Sequence, residues 1–138
     1  MAKEQGKQKS ELEQLLVDTS EGDVDRILLE ALSGRVALDK ATGHILPRPG
    51  LYKLPQRGRL IVLLLARHAL RILGLPGASS EAAPETLAAE SQVQIKSCRE
   101  YLSRLKSDGM VTKVDGGYQL PVWNILRAVD ELKSGSGE

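Results

Sequence analysis

Residues 84–120 read PETLAAESQVQIKSCREYLSRLKSDGMVTKVDGGYQL. The order of local signals in this stretch sets the architecture. Pro84 suits a first helical turn, where its missing N–H is not needed. Residues 85–90 follow as a short helix containing Leu87-Ala88. Ser91-Gln92-Val93 breaks it as a tight turn. From Gln94 to about Ser107 a second helix carries Cys98, Leu102 and Leu105 at i, i+4 and i+7, a spacing that puts three apolar side chains on one helical face. Asp108-Gly109 ends that helix. Residues 110–114 and 118–120 alternate as two strands around Asp115-Gly116-Gly117, a composition that favours a primed hairpin turn.

Upstream, residues 57–73 form the most apolar stretch of the chain. Leu60, Leu63, Leu64, Leu70 and Leu73 wind around a helix with Ile61, Val62, Leu65, Ala69 and Ile72 between them. Nearly every side except the Arg59, Arg67 and Arg71 positions needs cover, which predicts the central helix of the fold. Gly74 and Pro76 stop it, and residues 77–83 read as a small-residue loop. Earlier still, residues 1–9 read as a disordered polar tail. Ser10 and Glu13 fit a capping box that opens a helix with Leu12, Leu15 and Leu16 on one side. Asp23 caps a second helix through Leu32, and Gly34 stops it. Residues 35–39 and 44–47 form two strands around Lys40-Ala41-Thr42-Gly43, and a Pro-rich connection follows. The last helix starts near Pro121, with Val122, Ile125, Leu126, Val129 and Leu132 on one face and Trp123 outside that stripe. Residues 134–138 read as a flexible tail.

Composition narrows the function. The net charge is +1, from nineteen basic and eighteen acidic side chains, but it is unevenly placed. Residues 40–80 hold seven basic side chains and no acidic ones, enough for one positive face toward a polyanion. Arg59, Arg67 and Arg71 read equally well as a solvated stripe on the long helix, which leaves Arg48, Lys53 and Arg57 as the better polyanion contacts. One cysteine, Cys98, excludes an intramolecular disulfide, and its inward register reads as core. Two histidines and one cysteine do not make a zinc cluster. The longest uncharged apolar run, residues 60–66, is far short of the roughly 20 residues of a membrane span. A polar N-terminus without an apolar signal core predicts a cytoplasmic protein. No phosphate-binding glycine loop, nucleophile motif or paired metal ligands occur in the sequence, so an enzyme is not expected, nor a cofactor. Phe is absent and Leu occurs 23 times, an aliphatic core suited to packed helices.

Helix, three-residue turn, helix and β-hairpin together resemble the winged helix-turn-helix superfamily. Leu87-Ala88, Val93, Cys98, Leu102, Leu105, Gly109-Met110-Val111 and the hairpin to Tyr118 carry the match. Ser91 and Gln92 stand where that family commonly has an apolar residue and a glycine. The resemblance covers about residues 57–121 and implies a mainly α, α+β fold. In that reading, residues 10–56 form an N-terminal extension of helices and a hairpin, and residues 122–133 form a C-terminal helix. It further implies that the second helix of the motif enters the major groove of duplex DNA. Arg99 and Gln94 would then read guanine and adenine edges. Lys96 and Arg104 would hold phosphates, with Ser97 and Ser103 on the same outward face and Lys113 on the wing. Arg48, Lys53 and Arg57 would extend the contact as an arm. A DNA-binding transcriptional regulator is the first expectation. The alternative is a winged-helix adaptor, a protein-interaction subunit of a nucleic-acid-processing or replication complex, toward which Glu100 on the outward face leans. The C-terminal stripe and Trp123 point to a homodimer through the C-terminal helix; the alternative is that this helix closes the core of the same chain.

Overall fold

The computed structural model describes residues 12, 22–76, 79 and 81–135. The expected tail and most of the helix opened by Ser10 lie outside them. Among the described residues the chain folds as α+β, with five α-helices and two small antiparallel sheets. Helix α1 spans Gly22–Leu32, starting one residue before the cap expected at Asp23. Strands β1, Val36–Leu38, and β2, Ile45–Pro47, pair as a hairpin. At its tip Asp39 accepts hydrogen bonds from the Thr42 hydroxyl at 2.6 Å and the Ala41 N–H at 3.0 Å, which hold its carboxyl below the usual value. A 3-10 turn, Pro49–Lys53, then leads into α2, Gln56–Leu73.

Helix α2 is the axis of the molecule. Seven consecutive residues, Leu60 to Ala66, are wholly buried, as their uninterrupted apolar run demands. Gly74 closes the helix in the left-handed region, φ +66°, with its N–H directed at the Leu70 and Arg71 carbonyls. Helix α1 and the last helix, α5 (Ile125–Gly135), both pack on α2 and on each other. On another side of α2 lies α3, Pro84–Ser91, with α4, Ile95–Ser107, beyond it. Strands β4, Thr112–Val114, and β5, Gly117–Gln119, form the hairpin that follows α4. A two-residue strand β3, Glu81–Ala82, pairs with β5, giving the order β3-β5-β4.

Ser91 and Gln92 both fit the turn between α3 and α4. The Ser91 side chain is fully buried, and its hydroxyl donates to the Leu87 carbonyl at 2.6 Å, so an apolar position accepts a polar side chain that bonds within its own helix. Gln92 adopts φ +56°, alone among described non-glycine residues in the left-handed region, a conformation that costs less for glycine.

Three expectations change. Residues 77–83 are not all loop, because Glu81–Ala82 adds a third strand. A Cβ on Gly117 would come within 3.0 Å of the Ala82 carbonyl oxygen, so the bare backbone at Gly117 lets β3 approach β5. The hairpin turn is not primed: of its central residues only Gly116 has positive φ, +69°, whereas the primed types require it at the first position. The C-terminal stripe does not lie outside the core. Ile125, Ala128, Val129 and Leu132 are buried within the chain, whereas Val122 and Leu126 of the stripe, and Trp123 beside it, are exposed. Asn124 fixes the start of α5, its amide donating to the Gly109 and Met110 carbonyls at 2.8 Å each.

His68 is buried on α2 and its Nε2 meets the Leu120 carbonyl, tying the axis to the end of β5. Desolvation holds its pKa below the usual value; the Leu120 carbonyl opposes that shift and the charge of Arg71 adds to it. Unfolding restores the usual value of about 6.5, so just below that pH the unfolded chain binds the extra proton. The contribution is full above about pH 6.5 and declines as the pH falls toward the folded-state value, by at most about 1.4 kcal/mol per pH unit. Thermal melts at descending pH are expected to show a shallower fall in Tm for His68→Gln than for the unaltered chain. Parallel curves would remove His68 as the source.

Candidate nucleic-acid interface

The face of interest exists because α4 is anchored from behind. Cys98, Leu102 and Leu105 are fully buried, and at 3.6 residues per turn that register turns the remaining positions outward. The Cys98 Sγ lies 3.5 Å from the Pro84 carbonyl at the start of α3. Burial pushes its thiol up to about 11, which leaves it un-ionised and unreactive near neutral pH.

Lys96, Arg99, Ser103 and Arg104 are exposed, and Ser97 is half-buried on the flank of α4. Gln94, also exposed, is not in the helix. It caps α4 from an extended conformation, and its carbonyl accepts the Cys98 N–H at 2.8 Å. Lys113 is exposed in β4, opposite Tyr118. Two contacts pre-position the arginines. Arg99 lies 3.4 Å from Glu85, with both side chains more than 60% exposed, so the pair is weak and readily exchanged. The Arg104 guanidinium sits 5.8 Å from the centroid of the half-buried Tyr101 ring. Glu100 is exposed on the same side of α4. Asp108, which follows the helix, is held by Arg57 at 2.9 Å, a guanidinium it shares with Glu131.

Of the seven cations of residues 40–80, Lys40 and Arg71 are exposed at the β1–β2 tip and near the end of α2, and the other five divide in two. Arg57 is a half-buried staple rather than an arm residue: its Nε donates to Glu131 at 2.7 Å and its NH2 to Asp108. The Glu131 hydrogen bond, joined by Asp108, raises its pKa. Arg67 is buried against Glu90 at 2.8 Å. Arg59 stacks 5.5 Å from the Tyr52 ring and donates to the carbonyls of Leu54, Tyr52 and Ser91. Arg48 and Lys53 are exposed. Because β2 packs beside α3 and Arg59 ties the 3-10 turn to the end of α3, the segment that carries these two cations lies beside α3. Arg59 therefore has a positioning role that no local motif announces, since its partners lie up to 32 residues away.

The assembled surface carries guanidinium and ammonium donors on a rigid helix, flanked by a hairpin and a tethered loop. Among the described residues, no group of three or more His, Cys, Asp or Glu is placed to hold a metal ion, and no helix is long and apolar enough to cross a membrane. Compared with known protein families, curated proteins and solved structures, the chain matches none.

Proposed function

We propose that this chain binds double-stranded DNA as a winged helix-turn-helix protein and acts as a transcriptional regulator. The observation that carries this reading is the outward face of α4, where Lys96, Arg99 and Arg104 are exposed on a helix fixed by a fully buried opposite face. A single helix fits the major groove, which is about 12 Å wide. In that pose Arg99 reaches a guanine edge and Gln94, at the helix N-terminus, an adenine edge. Lys96 and Arg104 hold phosphates on either side, and Lys113 at the hairpin follows the backbone toward the minor groove. Arg48 and Lys53 add backbone contacts.

The second reading, a protein-interaction adaptor, is favoured by one observation: the exposed Glu100 on the same face, which repels phosphate. Duplex binding across a salt series separates the two. A regulator's affinity falls steeply as salt rises, because each phosphate contact releases a counterion; an adaptor binds duplex hardly at all. For the regulator, Arg99→Ala is expected to weaken its selected site by about 1–3 kcal/mol and relax preference at one position. Lys96→Ala weakens every sequence alike and lowers the salt slope. Glu85→Gln, which frees Arg99, strengthens binding. Unaltered duplex affinity in both the Arg99 and Lys96 variants would overturn the assignment.

A further inference from the structure

Five large apolar side chains remain exposed at one place. Leu29 and Leu73, 67% and 62% exposed, line a groove of about 360 Å³ formed by α1, the C-terminal end of α2 and β1. Val122 and Trp123, the latter 75% exposed, line a second groove of about 430 Å³ between α1, α2 and the start of α5. Ile72, 51% exposed, lines both, so the two grooves form one continuous apolar face with Ile72 at its centre. Apolar side chains scattered singly need no explanation, but a contiguous set on one face marks a contact surface.

The charges on this face identify the occupant. Among the described residues, the first groove is lined by one formal charge, Asp25, and the second by one, Arg71. His68, which also lines the second groove, is held toward its neutral form by burial. An acid on one side of Ile72 and a base on the other is the arrangement a two-fold contact needs, because such an axis sets each residue of one copy against its counterpart position on the other. We infer that this face joins two copies of the chain about an axis near Ile72, with Trp123 of each copy seated in the Leu29–Leu73 groove of the other and Asp25 paired with Arg71 across the interface, twice. The shapes agree with the charges: a projecting indole stands beside an open apolar groove on the same face. No residue of α3 or α4 lines either groove, so pairing leaves the α4 surface uncovered. The pairing does not depend on DNA binding.

Sedimentation equilibrium of the full chain tests it. The full chain is expected to dimerise, and its only tryptophan should shift its emission to shorter wavelength as concentration rises. Trp123→Ala is expected to weaken association by about 30-fold or more, as removal of a buried aromatic anchor does. Asp25→Arg and Arg71→Asp each place like charges together and yield folded monomers, checked by circular dichroism. Mixed one to one, these two variants restore both pairs and form a heterodimer, which a merely destabilised fold would not do. A chain that stays monomeric overturns the proposal, including one that dimerises only after residues 1–21 are removed, since its own leading segment then covers the face. A dimer indifferent to Trp123→Ala and to both charge reversals overturns it as well.

Discussion

Glu90→Ala is expected to cost about 3–5 kcal/mol of folding stability, more than its position near a helix end suggests. Glu90 is the partner of Arg67, whose side chain is only 8% exposed. With Glu90 gone, the Arg67 guanidinium keeps a single acceptor, the Leu63 carbonyl at 3.2 Å, and stays enclosed by α2 and α3. Its charge has left water and lost its compensation. Arg67→Met is expected to cost less. It retains the apolar stem, and the carboxylate left behind is 20% exposed and can recruit water. Replacing both, as Arg67→Met with Glu90→Leu, removes two desolvation costs together and is expected to come within about 1 kcal/mol of the unaltered chain. Urea unfolding of these four proteins, with Glu90→Leu alone added to close the cycle, measures the coupling. Equal losses for Glu90→Ala and Arg67→Met, with a double variant as unstable as their sum, would show that the pair stabilises through packing alone.

That ion pair also shows where sequence reasoning ended. Helix α2 was legible because its apolar positions leave only a narrow arginine stripe without need of cover, and α4 because period 3.6 fixes the inward and outward sets at once. The β1–β2 hairpin was legible from its Gly43 turn between two apolar runs. The basic segment was not. Arg57 finds Glu131 at a separation of 74 residues, Arg59 finds Ser91 at 32, and Arg67 finds Glu90 at 23. A cation's partner at such distances depends on how helices pack, which local composition does not encode. Strand β3 escaped for a different reason. Its two residues, Glu81 and Ala82, lack β-branched character, and their pairing is imposed by β5 and the bare backbone of Gly117. The C-terminal stripe was periodic enough to place α5, but periodicity names an apolar face without naming what covers it. Here α1 and α2 cover most of it, and the apolar surface left open lies instead around Ile72 and Trp123.

The outward set of α4 inherits its reliability from the inward one, so the core prediction on that helix bears on function. Leu102→Ala and Leu105→Ala are each expected to cost about 2–5 kcal/mol, because both side chains are fully buried and truncation leaves a cavity in addition to the lost transfer energy. Leu102→Met, which conserves volume, is expected to cost less than about 1.5 kcal/mol. Ser103→Ala, one position further and exposed, should stay within about 0.5 kcal/mol of the unaltered chain. These changes discriminate because neighbours on a helix sit about 100° apart, so a register error of one residue would exchange the two outcomes. The Leu105 carbonyl accepts the Met110 N–H at 2.9 Å, a backbone bond that alanine preserves, so the loss at Leu105 reports packing alone. Urea denaturation midpoints at constant slope give the differences. A cost below about half a kcal/mol at Leu102 and Leu105, together with a large one at Ser103, would rotate α4 and turn Lys96 and Arg99 into the core.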